Sequence, residues 1–295
     1  MNIAILSRNP SLYSTASLVR AGRRKQHYVR VLDHMQCDIS IETGKPQVFY
    51  QGQLIKNIDV IIPRIGSSAT SYGASVIRQF ESMGVTSTLN AEPLLRARDK
   101  LSCLQLLAAE GLGVPKSLVS NNYFSINEML DRIGDLPAII KLINGTHGLG
   151  VILAESKSNA ESIMEAFYKA KQKIMLQEYI EEAKGADIRV FIVGDEIVGV
   201  MKRQAKEGEF RSNLHRGASS SVVSLTELEA KIAIKATKIL GLNIAGVDML
   251  QSERGPLILE VNASPGLEGI ETTTGNDIAG KIIDFATKKK NNPWK

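Results

Sequence analysis

The feature that most limits what this chain can fold into is GVDMLQSERGPLILEVN, Gly246 to Asn262. Two apolar runs flank a short polar segment with Gly and Pro, the pattern of an antiparallel hairpin. Side chains alternate faces along a strand, so Leu257, Leu259 and Val261 point one way while Glu260 and Asn262 share the other. With SERGP as the turn, centred near Arg254, Asp248 and Glu260 lie six residues to either side and therefore opposite one another. Like charges facing each other in a sheet are destabilising, and a cation between them resolves the conflict. Two carboxylates and an amide are hard oxygen donors, suited to Mg²⁺ or Mn²⁺ and not to zinc. So few protein ligands leave coordination positions for phosphate oxygens. A polar, solvent-facing strand is the plain alternative.

The rest of the chain reads as α/β followed by α+β. NIAILS, a helix near Ser14 to Lys25, YVRVLD, IDVIIPRIG, a helix near Tyr72 to Met83 and the short strand GVTSTLN alternate strand with helix. That order implies a parallel sheet covered by helices, and it lacks the early G-x-G-x-x-G of dinucleotide-binding folds. EPLLRARDKLSCLQLLAAEGL has the Leu and Ala spacing of one helix, closed by Gly111 and Gly113. Beyond it, AIIKL…VILAE, a helix near Ser158 to Lys171, IMLQEYI, a hairpin turning at Gly194-Asp195 and a helix near Thr226 to Leu240 imply two α+β units on antiparallel sheets. The expected divisions are 1–96, 97–185, 186–290 and a tail over 291–295.

Composition excludes several classes. With 43% hydrophobic residues in 295, the chain can bury more than one core. Its two cysteines, Cys37 and Cys103, are far apart, which argues for a reducing compartment and against a zinc site. The N-terminus turns polar too early for a signal peptide, and no apolar run is long enough to span a bilayer. A cytoplasmic protein without a membrane partner is expected. The net charge of +5 suits an acidic or phosphate-bearing substrate, although much of it lies in KKKNNPWK, which reads as a solvated tail.

Between the strands AIIKL and VILAE lie Gly145, Gly148 and Gly150. Strands on both sides rule out a Walker loop, but glycines let the backbone approach and donate N–H groups to a polyphosphate. Lys141, in the strand leading in, offers a point charge to phosphate oxygens. An ordinary hairpin loop is the alternative. GNDIAGKI fits G-x-x-x-x-G-K but ends in Ile and follows no apolar strand, so it is not a P-loop. LQEYI places Gln177 and Tyr179 on one face and Glu178 on the other, either facing an adenine edge or simply ending a strand. In FRSNLHRG, Arg211, Asn213, His215 and Arg216 gather donors for phosphate or carboxylate oxygens, or form a solvated basic loop. No Ser-His-Asp or Cys-His set offers a covalent nucleophile.

Taken in order, these pieces resemble the ATP-grasp superfamily, and within it the RimK-type α-L-glutamate ligases. PRIG at Pro63 to Gly66, RARDKL at Arg96 to Leu101, AKEGEFRSNLHRG at Ala205 to Gly217 and EVNASPGLEGIE at Glu260 to Glu271 carry the likeness, which covers nearly the whole chain. One departure is His147, where the family's loop has Gln. The resemblance implies a Rossmann-like pre-ATP-grasp domain followed by two subdomains that clasp ATP. It places Lys100 and Lys141 on phosphates, Glu178, Tyr179 and Ile180 at the adenine and Asp187 at the ribose. Arg211, Ser212 and Asn213 would reach the phosphates or the acyl group, with Arg216 steadying a carboxylate. Asp248, Glu260 and Asn262 would hold two Mg²⁺ or Mn²⁺ ions.

The activity so implied is an ATP-dependent carboxylate–amine ligase. It would add glutamate to the acidic C-terminus of a small-subunit ribosomal protein through an acyl phosphate, and make free poly-α-glutamate besides. A homo-tetramer is implied, without a direct nucleic-acid partner. Replacing Asp248 or Glu260 by Ala is expected to abolish ligation and spare the fold. Three alternatives stand: a ligase acting on a coenzyme tail or an amino-group carrier protein, a non-catalytic nucleotide sensor, and a small-molecule kinase.

Overall fold

The computed structural model of the protein describes residues 1–143, 150–214 and 217–291. The first sheet is parallel, in the order β2-β1-β6-β7, from β1 (Asn2–Leu6), β2 (Tyr28–Leu32), β6 (Val60–Pro63) and β7 (Thr86–Ser87). Helices α1 (Tyr13–Arg24) and α2 (Thr70–Ser82) cover it. Ile3 to Leu6 and Val60 to Ile62 are buried, as expected of strands with a helix on each face. Between β2 and β6 the chain builds a small antiparallel sheet from β3 (Cys37–Ser40), β4 (Gln47–Tyr50) and β5 (Gln53–Leu54), which the sequence reading did not foresee.

The single helix expected over Pro93 to Leu112 is two. Helix α3 (Ala91–Arg98) ends at Asp99, whose backbone is extended (φ −84°, ψ 100°), and α4 (Lys100–Ala109) begins immediately. The Asp99 carboxylate caps the new helix, accepting from the Leu101 and Ser102 N–H groups at 3.0 and 3.1 Å. An Asp that caps competes with the helix interior for those donors, so leucine periodicity runs through a real break. The break sets Arg98 and Lys100 on separate helices.

A second, antiparallel sheet, β10-β9-β11-β8, comprises β8 (Ser117–Val119), β9 (Ala138–Leu142), β10 (Val151–Ala154) and β11 (Ile174–Glu178), with α5 (Ile126–Ile133) and α6 (Lys157–Lys169) packed on one side. The third, β14-β13-β12-β15-β16, comprises β12 (Ala186–Val193), β13 (Glu196–Gln204), β14 (Ser219–Val222), β15 (Ile244–Leu250) and β16 (Leu257–Asn262). Helix α7 (Glu227–Ile239), with a complete Thr226–Glu229 capping box, joins β14 to β15. The chain ends in α8 (Glu268–Thr274) and α9 (Ile278–Asn291). The latter overturns the solvated-tail reading in part. Lys288 to Lys290 belong to a helix, and the half-buried Lys289 donates to the Ser87 carbonyl at 2.8 Å.

The buried side chains divide unevenly. Two apolar clusters each combine residues of the parallel sheet (Ala4, Leu6 and Ile61 in one; Ile3, Ile5 and Ile62 in the other) with residues of the β12–β16 sheet. The β8–β11 sheet keeps a cluster of its own around Met129, Leu130, Ile140, Met164 and Leu176. The first and third sheets are thus joined by shared core, while the second is a separately packed cap. Among the described residues no helix is long and apolar enough to cross a membrane.

Candidate functional site

The β15–β16 hairpin pairs Asp248 with Glu260 and Gly246 with Asn262, the register that the turn arithmetic gave. It reaches that register through a β-bulge, since beyond Asp248 the pairing continues as Met249 to Ile258 and skips Leu259. The bulge corrects one expectation. Ile258, and not Leu259, joins Val261 in the buried core, while Leu259 is half-buried. Gly246 leaves the hairpin room to close, since a Cβ there would meet the Pro265 ring at 2.8 Å.

Glu260 and Asn262 converge as expected: the Asn262 Nδ2 donates to Glu260 Oε1 at 2.9 Å and lies 3.5 Å from Asp248 Oδ2. A half-turn of the amide presents Oδ1 between the same carboxylates, so this donor set fits a hard divalent cation. Asp248 is more deeply engaged than the sequence implies. It accepts from Arg189 Nε at 2.6 Å and from Arg203 Nη2 at 3.1 Å, and Arg203 also pairs with Asp187 through Nε at 2.7 Å. Ser212 Oγ donates to Asp187 at 2.7 Å. These side chains share one face of the sheet because Arg189 lies opposite Asp248 and Asp187 opposite Arg203. Burial alone would raise the Asp248 carboxyl, but Arg189 and Arg203 outweigh it and hold it down at about 2. Burial raises Asp187 against the pull of Arg203. Replacing Asp248 by Ala would strip Arg189 of its carboxylate and leave Arg203 with Asp187 alone, so a cost in stability is expected there beside any loss of ligation.

Sequence reasoning missed Arg189 and Arg203. Alternation in ADIRVFIV shows that Asp187 and Arg189 share a face. Counting from the Gly194-Asp195 turn, however, sets Lys202 opposite Asp187; a bulge between Phe191 and Ile192 shifts the partner to Arg203.

Across from the hairpin stand the cations of α4 and β9. Lys100, at the first position of α4, donates to the Ile143 carbonyl at 3.1 Å. Lys141 donates to Gln177 Oε1 at 2.6 Å, and Gln177 in turn donates to Ser117 Oγ at 2.7 Å. Burial lowers both ammoniums, Lys141 to about 8, and the Glu260 charge partly restores each. Two desolvated lysines thus lie within electrostatic reach of the Glu260 carboxylate, a pairing of charges suited to phosphate oxygens and a cation.

The remaining expected residues fall along the seam between the cap and the β12–β16 sheet. Arg211 donates to both oxygens of Glu209 at 2.9 and 2.8 Å, reaches the Val151 carbonyl of β10 at 3.3 Å and lies over the Phe210 ring. Its hydrogen bonds hold the Glu209 carboxyl at about 2. Asn213 is half-buried in the same segment. Glu178, at the end of β11, spends its carboxylate on the Lys116 N–H at 2.7 Å and Arg254 Nη2 at 2.6 Å. Tyr179 is half-buried and Ile180 buried, in the connection to β12. The Asp187 carboxylate is turned inward onto Arg203 and Ser212. Gly145, His147, Gly148, His215, Arg216 and the last four residues lie outside the described residues.

Lysines of a β-sheet cap set against an acidic hairpin, behind a parallel-sheet domain, are the arrangement of an ATP-grasp ligase. Residues 1–94 match the RimK PreATP-grasp domain and residues 97–286 the RimK-like ATP-grasp domain. The chain belongs to the RimK family. It is 53% identical over 98% of its length to a probable α-L-glutamate ligase 1 of Hahella chejuensis, covering 95% of that protein. It is 52% identical over 98% of its length to a probable α-L-glutamate ligase of Vibrio cholerae, covering 96% of it. In fold it is similar to the ATP-grasp ligase PsnB complexed with a phosphomimetic variant of a minimal precursor, Mg and ADP (TM-score 0.76, 20% identity, 98% of each chain). It is also similar to the D-alanine–D-alanine ligase of Bacillus anthracis (TM-score 0.70, 19% identity, 99% of this chain and 98% of the other).

Proposed function

We propose that the chain is an ATP-dependent α-L-glutamate ligase that extends the acidic C-terminus of a small-subunit ribosomal protein, and makes free poly-α-glutamate when no acceptor is present. The observation that carries this reading is the pairing of Asp248, Glu260 and Asn262 against the buried ammoniums of Lys100 and Lys141. Residues 1–96 would act as the pre-ATP-grasp domain, 97–185 as the central ATP-grasp subdomain that carries the cap and 186–290 as the C-terminal subdomain that forms the base. Lys100, Lys141, Gly145 and Gly148 would cradle phosphates. Tyr179, Ile180 and the backbone at Glu178 would face the adenine, with Asp187 setting the ribose side through Ser212. Arg211, Asn213 and Arg216 would steady the acyl group. Asp248, Glu260 and Asn262 would hold two Mg²⁺ or Mn²⁺ ions, which supply charge neutralisation along the β- and γ-phosphates.

The γ-phosphoryl group passes to the acceptor's terminal carboxylate, ADP leaves, and an acyl phosphate results. The α-amine of glutamate attacks the acyl carbon, phosphate leaves, the amine proton is lost and an amide remains. Covalent attachment to the protein is unnecessary, which agrees with the missing nucleophile set. Exclusion of water by the closed cap keeps the acyl phosphate for the amine. The family resemblance supports a cytoplasmic homo-tetramer.

The test is intact mass spectrometry of candidate acceptors incubated with enzyme, ATP, Mg²⁺ and glutamate. A ladder spaced by one glutamyl residue on the ribosomal protein is expected. A ladder on a carrier protein or a coenzyme instead would replace the acceptor, and a stable phosphorylated product without amide would replace the reaction.

A further inference from the structure

The order β2-β1-β6-β7 has a topological consequence. From β1 the chain crosses to β2 on one side, and from β2 it returns to β6 on the other, so a crevice opens beyond the C-terminal ends of β1 and β6. Such switch points are where open parallel sheets take ligands. Here the crevice is lined by guanidiniums. Arg64 directly follows β6, and Arg8 lies two residues past β1, its Nη2 3.4 Å from where a Cβ on Gly66 would stand. Arg98, placed by the break between α3 and α4, donates to the Ile65 carbonyl at 2.5 Å.

The base of the ATP site closes the crevice: Arg64 Nη2 donates to the Pro265 carbonyl at 2.6 Å and lies 3.5 Å from the Ser264 carbonyl. Ser264 is only two residues beyond Asn262, within roughly 7 Å along the chain.

Arg64 and Arg98, half-buried, lack what such charges ordinarily have, and exposed Arg8 beside them has no carboxylate either. Among the described residues none of them makes an ion pair with a carboxylate. The segments outside the described residues contain no Asp or Glu side chain. Burial lowers the Arg64 guanidinium to about 10, and Arg98 beside it lowers it further. Glu260 eases Arg98 from the hairpin side. Arg98 Nε and Ser264 Oγ are both buried without a hydrogen-bond partner. Unmade bonds at buried polar atoms are costly, and planar forks of N–H donors match carboxylates two at a time.

Resting on the ligase reading above, we propose that Arg8, Arg64 and Arg98, with Ser264, form the subsite for the carboxylates of a glutamyl substrate at the switch point of the first sheet. The subsite recognises a dianionic glutamyl unit and sets its reacting end beside the Asp248–Glu260 hairpin. That chemistry belongs equally to free glutamate and to the last residue of an acidic acceptor. Kinetics separate the two.

The test uses the full chain with the variants Arg8→Gln and Arg64→Lys. Arg8 is exposed, so its replacement spares the fold, and Arg64→Lys keeps a donor for Pro265. The KM for glutamate and the KM for acceptor are each measured at saturating ATP and co-substrate. Loss of a charge-assisted bidentate contact raises the KM of the substrate seated there by about 10- to 100-fold. The affinity for a non-hydrolysable ATP analogue stays unchanged. A rise for glutamate alone seats the free amino acid, and a rise for acceptor alone seats its terminal residue; either supports the subsite. No rise in either refutes it.

A second readout does not depend on turnover. Glutarate should raise the melting temperature of the wild type, the neutral diamide glutaramide should not, and Arg8→Gln should erase the glutarate effect. If the wild type forms no amide but shows this pattern, the ligase reading fails and the subsite stands. If glutarate and glutaramide act alike, the subsite fails.

Discussion

Replacing Arg203 by methionine isolates the charge network beneath the Asp248–Glu260 hairpin. Arg203, Asp187 and Asp248 are 4%, 3% and 2% exposed, so water cannot take over the lost contacts. Methionine fills most of the stem volume. Asp248 then retains Arg189, but Asp187 keeps only the Ser212 hydroxyl at 2.7 Å. Breaking a buried pair and leaving one charge uncompensated costs about 3–5 kcal/mol. The expected loss of stability at pH 7 is of that size, measured by urea unfolding followed by circular dichroism.

The pH dependence has a fixed sign. Burial already raises the Asp187 carboxyl, and loss of the guanidinium raises it further. The folded variant then takes up a proton that the unfolded chain does not, so its deficit shrinks as pH falls from 7 toward 5. Adding Asp187→Asn removes the orphaned charge while keeping an acceptor for Ser212, and recovers more than half of the loss. A single variant within 1 kcal/mol of wild type, or a double variant no better than the single, would refute the reasoning (both thresholds set by the roughly 3–5 kcal/mol expectation).

Three further outcomes are expected. Glu260→Gln keeps the hairpin and the Asp248–Arg189 pair, so unfolding stays near wild type while ligation falls about 100-fold or more; a fully active variant would remove Glu260 from the site. Lys141, lowered to about 8 by burial, loses its charge as pH rises from 7 to 9, so ATP affinity measured by calorimetry falls over that range. Lys141→Arg stays charged and gives a flatter profile, and coincident profiles would show that Lys141 does not govern the change. Gly150→Ala sets a Cβ 2.4 Å from Leu142 Cδ1 at a positive φ of 72°, and lowers the stability of the cap by about 1–3 kcal/mol, read as faster hydrogen exchange in β9 and β10. Unchanged exchange there would mean that the backbone absorbs the clash.

Legibility followed the kind of signal each element depends on. Parallel β1 and β6 announce themselves as continuous apolar runs and β2 as a mostly apolar one, with helical spacing setting β1 apart from β2, and the Asp248–Glu260 pairing followed from counting around one turn. The same counting fails at β12–β13, because a bulge is a backbone irregularity that composition does not mark, and Arg203 went unnoticed as a result. Leucine spacing carried the reading of α3 and α4 straight through Asp99, whose cap is visible only once the chain has turned. The β3–β5 sheet was missed because its strands are short and mixed with polar residues. Glu178 and Asp187 entered the reading as nucleotide contacts, and the partners their carboxylates take here could not be read along the chain, because Arg254 and Arg203 arrive from distant segments.

The separate core of the cap has a mechanical meaning. Apolar packing within it is cohesive, but its attachments across the seam are polar: Lys100 to Ile143, Arg211 to Val151 and Glu178 to Arg254. Hydrogen bonds of this kind contribute about 1 kcal/mol each, so the seam is weaker than either body it joins. A nucleotide bound along it, as proposed, would act as a keystone, the piece whose insertion makes an arch out of two leaning halves. The molecule would in this sense be assembled anew at every turnover, and the release of product would also be the loosening of its own architecture.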